Sequence, residues 1–142
     1  MTSLEKYVNV LKTTNEIALA TSVDNIPDVR VVNFCFDFEC PGVLYFASDR
    51  TNRKVVQFKK NNAVSFTTIP KDGGIPHVRS IQAAVQKSER TMAEMAPLFV
   101  AAIPGYDEAI AAIGDALEVF EIHIKEAVVI TGFDAPDVLS FE

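Results

Sequence analysis

The sequence predicts a mostly β protein with a few short helices, folded as a closed or partly closed antiparallel barrel. Six segments have the alternating or continuous apolar pattern of β-strands, and the first three are joined by short turns. Turns of this length leave no room for the crossover that parallel strands need. One small helix separates the third and fourth strands, and a longer helical stretch precedes the last strand.

The first half of the chain is predicted to contain a helix, three strands and the start of a second helix. Thr2 and Glu5 are spaced as a capping box for the first helix, and the residues after Asn15 then alternate between bulky and small. Turn-forming residues fill 24–28 and 37–42. The predicted elements are a helix over 3–14, strands over 17–23, 29–36 and 43–47, and a helix that begins within 48–54.

The second half is predicted to contain three more strands and a broken pair of helices. Strands are expected over 63–69 and 77–87, and a last strand over 120–125 that the apolar run 127–130 extends. Helical spacing covers 88–102 and 107–113. Because proline cannot continue the helical hydrogen-bond pattern, Pro97 and the Pro104-Gly105 pair are expected to interrupt this stretch.

Composition limits the classes of function. The 142 residues are expected to form one domain, 1–142, and a net charge of -6 with 49% hydrophobic residues argues against a disordered chain or a general nucleic-acid binder. No segment resembles a signal peptide or a membrane span, so we expect a cytoplasmic protein without membrane or nucleic-acid partners. Cys35 and Cys40 show no metal-ligand spacing, and we expect no metal and two reduced thiols.

Basic residues are concentrated in one short segment of this acidic chain. Arg53 and Lys54 stand at a predicted helix start, where the helix dipole already presents positive charge. Such a position favours a bound anion, and the hydroxyl and amide groups of Ser48, Thr51 and Asn52 suit the oxygens of a phosphate. We expect the other cations of this segment to form a solvated surface: Arg50, Lys59 and Lys60.

A strand with Arg30, an apolar strand that ends at Ala47-Ser48, and a helix that opens with Asn52-Arg53-Lys54 follow one another in the chain. This order resembles the FMN-binding split barrel of the pyridoxamine 5'-phosphate oxidase-like family and covers most of the sequence. The resemblance implies an antiparallel Greek-key barrel of six strands with short flanking helices. It also implies a cofactor site formed by Arg30, Val31, Val32, Asn33, Ala47, Ser48, Asn52, Arg53, Lys54 and, by a loose match, His77.

The resemblance assigns different parts of FMN to these residues. Arg30, Ser48, Arg53 and Lys54 match the positions that hold the phosphate, and the backbone of 31–33 matches the segment that contacts the flavin ring. It further implies a homodimer with FMN at the interface and a small-molecule electron donor or acceptor such as NADH or NADPH. Members that oxidise pyridoxamine phosphate use a C-terminal Trp, and this chain has no Trp, so we expect an activity other than vitamin B6 oxidation.

No catalytic residue is assigned, because the sequence contains no Ser/His/Asp or Cys/His arrangement and no nucleotide-binding fingerprint. We expect an FMN-dependent oxidoreductase whose substrate is unknown. Three alternatives remain: a flavin-binding electron carrier, a relative that binds haem or a deazaflavin, and a barrel without a cofactor that acts in assembly.

Overall fold

The strands of the chain form one antiparallel sheet, described for residues 1–141 by a computed structural model. The strands are β1 (Glu16–Val23), β2 (Ile26–Asn33), β3 (Cys35–Phe36), β4 (Val43–Asp49), β5 (Ala63–Thr68), β6 (His77–Lys87), β7 (Leu117–Ile130) and β8 (Asp137–Ser140). The helices are α1 (Ser3–Leu11), α2 (Arg53–Lys60), α3 (Met92–Ala102) and α4 (Tyr106–Ile113), and a 3₁₀ turn covers Gly114–Ala116.

The sheet has the strand order β2-β1-β5-β6-β7-β4-β3, and β8 pairs with β7. Strand β2 at one edge also contacts β4 near the other edge, so the sheet curls into a half-barrel. The predicted class, mostly β with a partly closed antiparallel barrel and short helices, is confirmed. The predicted strand number is wrong, because the sheet formed within residues 1–141 has eight strands and not six.

The first hairpin turns earlier than predicted. Asp24 and Asn25 both have positive φ, 53° and 63°, as the two central residues of a tight hairpin turn require. Strand β2 therefore starts at Ile26 and includes Pro27, which we had expected in the turn. An edge strand tolerates proline because one side of its backbone has no strand partner.

The predicted strand over 29–36 is divided in two. Strand β2 ends at Asn33, and Cys35 pairs with Tyr45 of β4 in the short strand β3. Phe34 and Cys35 are buried in succession, which breaks the alternation of a single strand and marks the bend. The other strand that the prediction missed, β8, has only two apolar residues in its four and gives little periodic signal.

The late helical stretch is continuous at its first proline and broken at its second. Helix α3 starts at Met92, because Thr91 caps it by accepting a hydrogen bond from the Glu94 amide at 3.2 Å. It runs through Pro97, so the predicted interruption there is wrong. The break at Pro104-Gly105 is confirmed, and Gly105 adopts a left-handed φ of 78°. The predicted continuation of the last strand over 127–130 is also confirmed, since β7 is unbroken.

Two apolar clusters fix the elements around the barrel. The interior cluster contains Phe46 of β4, and Val55 and Phe58 attach α2 to it. The second cluster lies on the outer side of β4, where Met95 and Phe99 of α3 pack. As a result α2 lies across one end of the barrel, against β1. Within residues 1–141, none of the helices combines the length and apolar character needed to cross a membrane.

Candidate anion-binding site

Arg30 lies on the side of β2 that faces helix α2. Its Nη1 donates to the Leu19 carbonyl of β1 at 3.2 Å, and its Nη2 donates to Gln57 Oε1 of α2 at 2.5 Å. Only 20% of the side chain is exposed. A guanidinium has five N–H donors, so at least two remain for a ligand after these bonds and the ion pair with Asp28.

Asp28 and Gln57 hold Arg30 in this position. Asp28 Oδ2 lies 3.1 Å from Arg30 Nη2 and accepts a hydrogen bond from Gln57 Nε2 at 3.1 Å. Thr21 of β1 donates to Gln57 Oε1 at 2.9 Å. The hydrogen bond from Gln57 keeps the pKa of Asp28 below its usual range, and the charges of Arg30 and Arg53 act in the same direction. Asp28 is therefore ionised at neutral pH.

Lys54 is a half-buried cation close to Arg30. Burial lowers the pKa of its ammonium, and the neighbouring Arg30 charge lowers that pKa further. Within residues 1–141 the ammonium forms no ion pair with a carboxylate. Two cations that destabilise each other in this way are favoured where an anion binds between them.

The start of α2 supplies the remaining charge. Asn52 is the N-cap, and its Oδ1 accepts a hydrogen bond from the Lys54 amide at 3.1 Å. Arg53 Nε is 4.0 Å from Asp28, and 84% of its side chain is exposed. Arg30 and Arg53 flank the Asp28 carboxylate, and Lys54 lies beside Arg30. These four groups have a formal charge of about +2, equal and opposite to that of a dianionic phosphate.

At the end of β4, the side chains of two predicted residues lie on opposite faces of the strand, one toward the barrel interior and one away from it. Ser48 is buried and has the same strand parity as Phe46, and its hydroxyl donates to the Asp49 carbonyl at 3.1 Å. Ala47 has the opposite parity and packs against the cluster of α3. The Ala47 side chain is thus on the opposite face from Arg30 and Lys54, and its predicted contact with the cofactor stays a prediction.

The predicted segment after Arg30 has two faces. Val32 packs against the interior cluster on the side of Arg30, whereas 57% of Val31 is exposed on the outer face. Asn33 is exposed at the end of β2. Because β2 is an edge strand, alternate backbone groups in 31–33 are free for a ligand, as the prediction of backbone contacts requires.

His77 is separated from this cluster. It is the first residue of β6, and strands β1 and β5 lie between β6 and β2. At the usual strand spacing, this places it roughly 14 Å from β2 across the sheet. Its Nδ1 is 2.7 Å from the Ile75 carbonyl. Within one chain, the structure does not bring His77 to the basic residues.

Two residues of the site were not predicted, Asp28 and Gln57. Their spacing carried a signal: Asp28 is two residues before Arg30 on a strand, and Gln57 is four residues after Arg53 on a helix. Both spacings place side chains on the same face of their element. Asp28 and Gln57 also line a cleft of about 380 Å³ beside the site. The apolar wall of this cleft contains Val23, Ile26, Pro27 and Val56.

The two thiols do not form a reactive pair. Cys35 is buried and Cys40 is exposed. Burial raises the pKa of Cys35 to about 12, so this thiol stays protonated at neutral pH and is a poor nucleophile.

Comparisons with known proteins agree with this fold. A family model described as Pyridoxamine 5'-phosphate oxidase-like matches residues 10–135. No curated protein matches the chain. Solved structures with a similar fold include three at low sequence identity. A haem-binding protein from Mycobacterium smegmatis has a TM-score of 0.79 at 13% identity, and the match covers 99% of this chain and 58% of that one.

The other two similar structures are nearer in length. A NimC/NimA family protein from Clostridium acetobutylicum has a TM-score of 0.70 at 22% identity, over 98% of this chain and 92% of that one. An FAD-binding protein from Mesorhizobium loti has a TM-score of 0.65 at 16% identity, and the match covers 89% of this chain and 92% of that one. At these identities the three likenesses show a shared fold.

Proposed function

Because the chain belongs to the pyridoxamine 5'-phosphate oxidase-like family, we propose that it binds FMN and acts as an FMN-dependent oxidoreductase on a small molecule. The proposal rests chiefly on one observation, the hydrogen bond from Arg30 of β2 to Gln57 of α2, the helix whose first turn carries Arg53 and Lys54. The similarity to an FAD-binding protein supports a flavin as the cofactor. FMN would supply the redox chemistry, which none of the side chains described above provides.

The residues of the site fit a phosphate monoester. The Arg30 guanidinium keeps N–H donors on Nε and Nη1 for phosphate oxygens, and the Lys54 ammonium adds a mobile point charge. Asp28 and Gln57 act as positioning residues, because they fix the Arg30 side chain before a ligand arrives. The Ser48 hydroxyl is a further donor on the interior side of β4.

We propose that a second copy of the chain completes the site. Val29 and Val31 are 64% and 57% exposed, and both lie on the outer face of β2. Their cross-strand neighbours are Ala20 and Ala18, so this outer face is apolar and flat. A homodimer through this face would cover the valines and bring partner residues to the flavin ring. A monomer that binds FMN stoichiometrically in solution would contradict the shared site.

The visible spectrum of the purified protein tests the cofactor. We expect flavin absorption to survive desalting after incubation with FMN, but not after incubation with riboflavin, which lacks the phosphate. A Soret band would instead indicate haem, and a colourless protein after both incubations would contradict flavin binding. If NADH or NADPH bleaches the bound flavin and a small-molecule acceptor restores it, the protein is an oxidoreductase. If neither donor bleaches it, an electron carrier becomes the better description.

Binding of FMN is expected to raise the pKa of Lys54. In the free protein, burial and Arg30 both favour the neutral amine. A phosphate beside the ammonium favours the protonated form and opposes both effects. NMR titration of lysine labelled at Cε would measure this pKa, and riboflavin should leave it unchanged. Lys125, an exposed residue of β7, provides an internal control. A Lys54 pKa that is equal with FMN and with riboflavin would place the phosphate elsewhere.

A further inference from the structure

A second cleft, of about 290 Å³, lies between α2 and the strands β6 and β7. It is on the opposite side of α2 from the anion-binding site. At 100° per residue, Arg53 and Gln57 share one side of the helix, whereas Val55 and Phe58 point toward the other. The two clefts therefore share a helix but no residue, and the function proposed above does not use this one.

The floor of the second cleft is aromatic and aliphatic. Phe58 and Phe120 form part of it, with ring centroids 5.8 Å apart, and Val55 and Val85 complete it. Each of these four residues is at least nine-tenths buried, so the cleft exposes only their outermost atoms. Such a floor favours a flat apolar group that can pack on ring edges and methyl groups.

The rim of the cleft is positively charged. Arg50 and Lys87 both bind Glu118, each at 3.3 Å, and Arg50 also donates to the Asp115 carbonyl at 3.1 Å. Among residues 1–141, Lys59 on α2 forms no ion pair. Three cations and one carboxylate leave an excess of positive charge above an apolar floor.

We propose that this cleft binds a small aromatic carboxylate, with the ring on the Phe58–Phe120 floor and the carboxylate at Lys59. The charge favours a monoanion, because Lys59 is the uncommitted cation and the nearby Glu118 would repel a dianion such as a phosphate more strongly. The volume is at the lower end of that of small-molecule sites, about 300–1,000 Å³, which suits a one- or two-ring ligand better than a peptide.

Titration with 2-naphthoate tests the proposal, and 2-naphthalenemethanol is the neutral control of the same shape. We expect calorimetry to show tighter binding of the acid than of the alcohol. We expect Lys59→Gln to weaken binding of the acid roughly five- to tenfold, between the values for an exposed ion pair and a charge-assisted hydrogen bond. Lys60→Gln removes a charge from the same helical turn, on the other side of α2, and should change the affinity less than roughly twofold.

Methyl NMR locates the ligand. The acid should shift the resonances of Val55 and Val85 and leave those of Val23 and Val56, in the cleft on the other side of α2, unchanged. Equal affinities for acid and alcohol, no binding of the acid, or shifts confined to Val23 and Val56 would each overturn the proposal. The titration should give the same result in Lys54→Gln, which removes a cation of the anion-binding site, so its outcome is independent of the flavin proposal.

Discussion

Replacing Arg30 with alanine is expected to weaken FMN binding about 10- to 150-fold, which corresponds to about 1.5–3 kcal/mol for a hydrogen bond to a charged group. The variant loses the guanidinium donors and lowers the formal charge of the site from about +2 to about +1, because Asp28 stays ionised. Fluorescence quenching of FMN on binding would measure the affinity. Lys125→Ala, which removes an exposed cation on β7, is expected to leave it unchanged.

A double variant separates two causes of the weaker FMN binding in Arg30→Ala. One is the loss of the guanidinium donors, and the other is repulsion of the phosphate by Asp28. In Arg30→Ala the Asp28 carboxylate keeps the hydrogen bond from Gln57 and the Arg53 cation at 4.0 Å, and it repels the phosphate. Adding Asp28→Asn removes this repulsion, so the double variant should regain part of the affinity but not all of it. Full recovery would mean that Arg30 acts only by neutralising Asp28. Unchanged affinity in Arg30→Ala itself would contradict the proposed phosphate site.

Arg30→Lys and Arg53→Ala test how far FMN binding depends on the geometry of the site. Lysine keeps the charge at position 30 but cannot bond Leu19 and Gln57 with one planar fork, so an intermediate loss is expected. Arg53 is 84% exposed, and its removal should weaken FMN binding less than the Arg30 change. If Arg53→Ala weakened FMN binding more than the Arg30 change, the phosphate would bind at the surface of α2 and not against β2.

The basic part of the site could be predicted because it depends on local sequence. Arg53 and Lys54 adjoin a helix start that the polar residue Asn52 marks, and the resemblance supplied Arg30 two elements earlier. The proximity of Arg30 to Lys54 depends on tertiary structure, because it requires α2 to pack across β1. Asp28 is a neighbour of Arg30 on one face of β2, but Gln57 becomes a partner of Arg30 only through that packing, and no local pattern contains both Asp28 and Gln57.

Strand order was less predictable than strand existence. The alternation of apolar residues marks β1, β6 and β7, but it does not reveal that β5 inserts between β1 and β6. This insertion separates His77 from the edge strand that carries Arg30 within one chain, and the predicted cofactor contact of His77 stays a prediction. The bend at Phe34 was missed for a related reason, because two successive buried residues look like a continuous strand until the partner strands are known.

Phe46→Ala is expected to lower the free energy of unfolding by about 3–5 kcal/mol, the usual cost of emptying a buried phenylalanine position. Phe46 is 0% exposed, and its ring stacks on Phe120 at 5.4 Å and meets Phe58 edge-on at 5.8 Å. Urea denaturation followed by far-UV circular dichroism would measure the change. Phe133→Ala removes a ring that is 97% exposed, and it should cost less than about 0.5 kcal/mol.

The Phe46 ring links the stability of the fold to the anion-binding site. Phe58 is a main attachment of α2 to the barrel, and Phe46 is its partner inside, so a cavity at Phe46 loosens the helix that carries Lys54 and Gln57. Phe46→Leu keeps most of the apolar volume and should fold at 25 °C, yet we expect it to bind FMN several-fold more weakly than the wild type. Unchanged affinity in this destabilised variant would show that the packing of α2 does not depend on the aromatic stack, although the stack contributes to stability.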